Sequence, residues 1–508
     1  MRLLRILLAL MSGGGIALAQ TNAVNALRQL SLQDCIQMAL QHNLDLQIDR
    51  YNPQISLFNL RGNYGVYDPN LTLSGQHDHN EAGTQLLGAG VPVVVPGSIS
   101  DDNFFSGSLN GVTPIGTTYS FQGNSRDQFG HAFGLDANGQ VVPIPFENSV
   151  AQTLFSASQP LLKNFWIDNN RLVIYISRNR LKYSEVQLKL QIMQIITTLE
   201  QAYYDLVYNR ENLTVQQKAV ELAERLVIEN RKRLEVGALA PLDLQSAEAQ
   251  AASSRAAVIA ASSQLGTQER LVKSFITDAY SSDWANVALE PSGKLTAPVP
   301  VLNLQDSWAK GLTQRPELLQ AKLDIERQGI QLKYDKNQLW PELDVFGSYG
   351  YNGSGREFSD ALGDLSSTDR PFYTYGGRIS FPLSNTKARN SLKADKANMQ
   401  QLVLTLKQLE QNTLILIDND IGTIRANYDQ VQATRAAREY EEAALDAEQK
   451  KLESGKSTTY TVLQVQRDLT TARGNEIQAL DTYNKSLSQL SLHEGSTLDR
   501  LEIRLESK

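Results

Sequence analysis

The longest signal in the chain is a row of apolar residues seven positions apart: Ile192, Leu199, Leu206, Leu213, Val220, Val227 and Leu234. Such spacing matches about 3.5 residues per turn, so Ile167 to Glu235 is predicted to be one helix that supercoils left-handedly against its neighbours. The positions three residues later, including Ala202, Asn209, Gln216, Ala223 and Asn230, are mostly small or polar. That leaves one narrow apolar seam, which fits a helix with protein along its flanks and water on another side. Val403, Ile417, Ile424, Val431, Leu445 and Leu452 share a similar register in a second stretch, Thr386 to Glu453, interrupted at Glu410 and Arg438. At ~1.5 Å rise per residue each stretch would reach roughly 100 Å. Each ends in a glycine-containing turn and returns as a shorter helix, Leu242 to Ile276 and Tyr460 to Leu490. The first of these is rich in alanine (Ala247, Ala251, Ala256, Ala260), which lets helices approach closely.

A different period precedes each long stretch. Asn70 to Gly75 alternates polar and apolar residues, and so do Leu343, Val345 and Gly347 against Glu342, Asp344 and Phe346. Tyr349, Tyr351, Phe372, Tyr373 and Tyr375 add aromatic residues, as at the ends of membrane barrel strands. Two strand regions are predicted, about 70–158 and about 342–383, each preceded by an amphipathic helix (Leu32 to Asn59; Leu304 to Gln338). The order of elements occurs twice, and so do the residues. Leu30, Leu32, Gln33, Asp34 and Leu40 recur as Leu302, Leu304, Gln305, Asp306 and Leu312, and the same offset carries Pro69 to Pro341, Leu71 to Leu343 and Gly75 to Gly347. Later landmarks pair Gln159-Pro160-Leu161 with Phe381-Pro382-Leu383, and Glu235-Val236-Gly237 with Glu453-Ser454-Gly455. The offset shrinks between these landmarks, so the first half carries about 50 extra residues between Pro69 and Pro160. The chain therefore divides into a first repeat, 20–290 (long helices about 167–276), a second, 291–492 (long helices about 386–490), and a C-terminal tail, 493–508. A link rich in Pro and small residues, Glu290 to Val301, joins the halves.

With 508 residues, 41% hydrophobic and 20% charged, the chain can bury a sizeable core. Its formal net charge of -7 argues against a nucleic-acid partner. Arg2 and Arg5, the apolar run Leu3 to Met11 and the small residues Ala17-Leu18-Ala19 read as a signal peptide, 1–19, with Gln20 as the new N-terminus. No later segment is apolar enough for a helical membrane span, so the mature chain could enter a membrane only as a β-barrel. Cys35, the sole cysteine, lies too far downstream for lipidation and sits at helical spacing with Leu32 and Ala39; it reads as a small buried apolar residue.

Sites that look chemical fail on their context. Gly455-Lys456-Ser457-Thr458 imitates a phosphate loop, yet Lys450 stands where the first glycine belongs and a helix precedes it. His77-Asp78-His79 reads as a solvated loop without enough converging ligands for a metal. The charge runs Glu229 to Glu235 and Arg435 to Glu442 read as solvated helix faces. No catalytic set converges, so the expectation is a non-enzyme with no cofactor and no metal.

Four motifs in order, Leu32-Gln33-Asp34-Cys35-Ile36-Gln37-Met38-Ala39-Leu40-Gln41-His42-Asn43, Ser158-Gln159-Pro160-Leu161-Leu162, Val236 to Gln245 and Ser454 to Leu463, make the chain resemble the TolC-like outer-membrane efflux family across nearly the whole mature length. The resemblance implies a mixed α and β fold: a transmembrane β-barrel continued by a long periplasmic α-helical barrel of coiled-coil helices, formed by a homotrimer. It implies a passive exit duct in the outer membrane for a tripartite efflux or secretion system, in contact with outer-membrane lipid, a periplasmic adaptor protein and an inner-membrane pump. It places adaptor docking at the periplasmic tip, on Val236, Gly237, Ala238, Leu239, Ser454, Gly455, Lys456 and Ser457, and the tip gate at Asp243, Thr461 and Gln464. Thr461 and Gln464 match positions that are acidic in family members with a well-described gate. Ser457 stands where a basic partner of Asp243 is expected, so the closed state needs another link. The competing reading is an exported coiled-coil rod that tethers envelope layers; only a channel needs membrane insertion.

Overall fold

The computed structural model describes residues 27–87 and 92–503; the signal expected at 1–19 and the start at Gln20 lie outside them. The chain opens with β1 (Leu27–Leu30), α1 (Leu32–His42), α2 (Leu44–Asp49) and α3 (Tyr51–Tyr64). The strands β2 (Asn70–Glu81), β3 (Gln85–Leu87), β4 (Val93–Val95), β5 (Ile99–Val112), β6 (Thr118–Leu135) and β7 (Val141–Pro160) follow. Next come α4 (Asn169–Glu235), α5 (Pro241–Ile276), α6 (Ser282–Ala285) and β8 (Ala288–Pro291). The second half holds α7 (Leu304–Gln314), α8 (Pro316–Asn337), β9 (Glu342–Gly355), α9 (Phe358–Ser367) and β10 (Pro371–Ser380). It ends with α10 (Thr386–Glu453), α11 (Thr459–Glu494) and α12 (Thr497–Arg500).

Six strands form one antiparallel sheet in the order β10-β9-β7-β6-β5-β2. The extra residues of the first half are therefore strands: the first half supplies four to this sheet and the second half two. Helix α9 joins β9 to β10 at one end of the sheet, and every passage between the sheet and the helices α3, α4, α8 and α10 lies at the other end, at Asn70, Pro160, Glu342 and Ser380. Beyond that end the helices run as a wall four abreast. Near the sheet its order is α3, α4, α8, α10; farther away it is α5, α4, α11, α10.

The helices start and stop where local chemistry says they should. Ser31 and Asp34 form a capping box on α1, with Asp34 N–H donating to the Ser31 hydroxyl at 3.1 Å. The single helix expected over Leu32 to Asn59 is cut at Asn43, whose side chain accepts from Leu46 N–H and starts α2. Leu304 to Gln338 is likewise cut, because Pro316 has no N–H to donate and sits at the first turn of α8. The main core packs α1, α4, α5, α10 and α11 around Ile196, Leu199, Leu206, Ile417, Ile424 and Tyr483. Cys35 is buried there, and burial pushes its thiol up to about 12. The Pro-rich link is strapped onto the helices: the Tyr483 hydroxyl donates to Pro298 O at 2.7 Å, and Gly293 N–H donates to the Tyr203 hydroxyl at 3.2 Å.

Three expectations change. The stretch 493–508 is packed as far as it is described: Thr497 and Leu498 are buried, and Arg500 grips the buried Glu200 carboxylate at 2.6 Å. His77, Asp78 and His79 lie inside β2, because pairing with Asn103, Asp102 and Asp101 of β5 extends the strand beyond its alternating part. Arg435 to Glu442 is not wholly a solvated face. Arg438 meets Glu476 of α11 at 2.5 Å, and Arg473 of α11 meets Glu442 at 2.8 Å, so the run ties α10 to α11.

Asp335 of α8 faces Asp395 of α10, with Gln331 donating to the first at 3.1 Å and Gln328 to the second at 2.8 Å. Burial and the bond to Asp395 push Asp335 up to about 6, while that bond holds Asp395 below its usual range. A raised carboxyl pKa stabilises the fold only while the proton is bound, so this contribution disappears as pH rises through about 6. Asp335→Asn should therefore flatten the decline of the thermal midpoint between about pH 4 and 6. An unchanged slope would show that the pair is not the source.

Candidate functional site

Two regions carry the functional geometry: the six-stranded sheet and the far end of the helical wall. In the sheet, strand register aligns one residue from each strand into cross-strand rows. One row reads Leu71, Leu109, Phe121, Phe155, Tyr349, Tyr373, and every member is solvent-exposed in the single chain. One residue along, on the opposite face, the row reads Asn70, Asn110, Ser120, Ser156, Ser348, Thr374. A second polar row on that face, Ser74, Ser106, Asn124, Gln152 and Asn352, is stitched by Ser74 Oγ to Ser106 Oγ at 2.6 Å and Gln152 Nε2 to Asn352 Oδ1 at 3.1 Å. The apolar face runs on β9 from Leu343 to Tyr351, about the ~9–11 residues that cross a bilayer as a tilted strand. Past it the same face turns polar, with His79 Nδ1 on Asp101 at 2.6 Å and Ser149 Oγ donating to Asp127 at 2.6 Å. At that height α9 lies on the sheet over Gly353 and Gly355. A Cβ on Gly353 would come within 2.3 Å of Ala361 O, so the close approach needs glycine.

At the far end, α4 and α10 finish identically. Gly237 (φ 72) and Gly455 (φ 73) adopt the left-handed conformation. Ala238 N–H donates to Arg233 O at 2.8 Å and Lys456 N–H to Lys451 O at 2.8 Å, the six-to-one bond of a Schellman cap. The two turns lie side by side. Leu226 of α4 packs with Leu445, Leu452, Val462 and Leu463, Arg233 Nη1 donates to Leu452 O at 3.4 Å, and the Thr459 hydroxyl donates to the buried Asn230 Oδ1 at 3.4 Å.

A sheet with one apolar and one polar face, handed to helices that end in paired glycine turns, is the arrangement of a known fold. The structure of the outer membrane protein VceC from Vibrio cholerae matches with a TM-score of 0.65 at 17% identity, over 91% of this chain and 96% of that one. The MtrE outer membrane channel of Neisseria gonorrhoeae, solved in its open state, matches at 0.63 and 15% identity, over 92% and 89%. The CmeC outer membrane channel of Campylobacter jejuni matches at 0.64 and 14%, over 92% and 86%. Identities this low establish the fold alone. No curated protein matches by sequence. The family model described as outer membrane efflux protein matches residues 310–496. Over those residues the chain is similar to the outer membrane efflux proteins.

That segment contains β9, β10, α10 and all of α11, including the second glycine turn. The docking candidates Val236, Gly237, Ala238, Ser454, Gly455 and Lys456 are exposed at the turns; Leu239 and Ser457 are half-buried. Ser457 donates its hydroxyl to Glu448, which also holds Lys451 at 2.9 Å; these bonds keep the Glu448 carboxyl below its usual range. Among the gate candidates, Thr461 and Gln464 are exposed in the first turns of α11, and the Thr461 N–H is spent capping on Thr458 Oγ1 at 3.3 Å. Asp243, half-buried, is in the first turn of α5, where its charge complements the helix dipole. Arg233 and Asn230, which link the two hairpins, were not singled out from sequence as linking residues; Asn230 shares its row with the polar Asn209 and Gln216, so nothing local set it apart. Among the described residues no cluster of His, Cys, Asp and Glu is arranged for a metal, and no helix is long and apolar enough to cross a membrane.

Gly455→Val should destabilise the tip locally by about 1–2 kcal/mol, because a β-branched residue resists positive φ. Hydrogen exchange of Lys450 to Thr459 should accelerate, and Gly455→Asn should recover much of the protection. Equal exchange in wild type and the valine variant would refute a conformational requirement at this turn.

Proposed function

We propose that this chain is the outer-membrane exit duct of a tripartite efflux or secretion system. On this reading it is a duplicated chain that assembles as a homotrimer, its sheets forming the membrane barrel and its helices a periplasmic tube. The observation that carries the proposal is the six-strand row Leu71 to Tyr373, apolar and exposed, backed by the fully polar row Asn70 to Thr374. A rod has no use for such a sheet. A barrel wall does: it meets lipid with one face and water with the other.

The sides of the protomer support self-assembly. Ile55 and Phe58 on α3, at one end of the helical row, are exposed, and so are Val403, Leu404 and Ile415 on α10 at the other. Helix α3 leads into β2 and β10 leads into α10, so the same two sides are open in the sheet and in the helices. Passive transport follows from polar lining without catalytic groups. Adaptor docking at the paired glycine turns is supported by their exposure and by their position at the end farthest from the sheet. An inner-membrane pump would supply the energy.

Purified in mild detergent, the mature protein should have three times the mass of one chain and migrate as a heat-modifiable outer-membrane species. Cysteines at Ala238 and Ser457 should crosslink to the cognate adaptor in cells. A monomer in the soluble periplasmic fraction would refute the channel reading; crosslinks confined to the neighbourhood of Gly75 would reverse its polarity.

A further inference from the structure

We propose that three copies close one barrel of eighteen strands, six from each, with β2 of every copy paired to β10 of the next. The inference rests on the trimeric reading above and adds the strand count, the seam and the width of the lumen.

Strand direction permits this closure. All five neighbouring pairs in the sheet are antiparallel, so β2 and β10 at its two edges run in opposite directions. Placed side by side they form a regular antiparallel pair. The faces continue across the seam as well. Leu71 and Leu73 on β2 share the apolar face with Tyr373 and Tyr375 on β10, while Thr72 and Thr374 share the polar one. The hairpin that enlarges the sheet, β5 with β6, is built into the wall. Its turn closes with Thr113 N–H on Thr117 O at 2.8 Å, and the Thr117 hydroxyl donates to Gln159 of β7.

The sheet order sets the count, and its width fits the helices. A strand spaced ~4.8 Å from its neighbour and tilted ~40° occupies ~6.3 Å of circumference, so six take ~38 Å. Four helices abreast at ~8–10 Å take ~32–40 Å. Sheet and helices of one protomer therefore subtend the same arc, and the barrel meets the helical tube at one radius. The eighteen-stranded barrel has a backbone diameter of ~36 Å and, at this strand number, an open aqueous lumen. The size limit on cargo then falls on the helical tip and not on the barrel.

The test uses the full mature protein. Thr72→Cys is combined in turn with Phe372→Cys, Thr374→Cys and Gly376→Cys, all on the polar face, and oxidised in membranes. One pair should give a covalent ladder ending at the trimer, and electron cryomicroscopy of the wild-type protein in nanodiscs should count eighteen strands. A trimer by mass that shows twelve strands, or no ladder from any pair, overturns this inference and leaves the channel reading intact. A monomer by mass overturns both.

Discussion

Backbone N–H and C=O groups in hydrocarbon must find partners within protein, because the bilayer core offers none. The chain meets that demand for the four inner strands of its sheet and leaves it unmet at β2 and β10. Much else in the architecture follows from this. On the proposed reading, the apolar band is a strand of about nine residues on each pass, the polar face turns inward, and the outermost helices carry apolar flanks to meet another copy. Val403, Leu404 and Phe58 would be liabilities on an isolated protein.

The same logic explains why the two glycine turns lie level. The strands β7 and β10 hand over to α4 and α10 at one end of the sheet, and α4 and α10 have 67 and 68 residues while α5 and α11 have 36 each. Equal helices starting from one level end at one level. The left-handed glycines then reverse the chain in two residues and satisfy the last carbonyls. Arg233, donating to a carbonyl of the neighbouring hairpin, and Asn230, accepting from Thr459, hold the two turns together.

The long helices and their turns were legible because a seven-residue row repeats its signal many times and a glycine at its end is hard to misread. The sheet was legible at Asn70 to Gly75 and Leu343 to Tyr351, where both faces have a chemical identity. It was not legible where that contrast fades. His77 to His79 lie past the apolar band, where both faces are polar, and only pairing with β5 reveals a strand. The extra residues were counted from the repeat, but their conversion into two further strands of the sheet depends on long-range register that no local pattern records. The packed C-terminus escaped for a similar reason: Leu498 and Arg500 look unremarkable until α4 brings Glu200 beneath them. Helix α9 is short, and its seat on the sheet depends on two glycines, Gly353 and Gly355, that read as ordinary turn residues.

The open edges also constrain how the protein reaches the membrane. Strand β2 has 12 residues and β10 has 10, and along the band each presents a row of unpaired backbone groups. Each group left unpaired in hydrocarbon costs several kcal/mol, so a lone sheet inserted with both edges bare would forfeit far more than the ~5–15 kcal/mol that stabilises an ordinary fold. On the proposed reading, edge pairing and insertion must therefore proceed together. The helical wall is suited to act first, since its core around Leu199 and Ile424 is complete within one chain and its apolar flanks can gather copies in water. The sheet then enters the membrane already held beside the edges it needs.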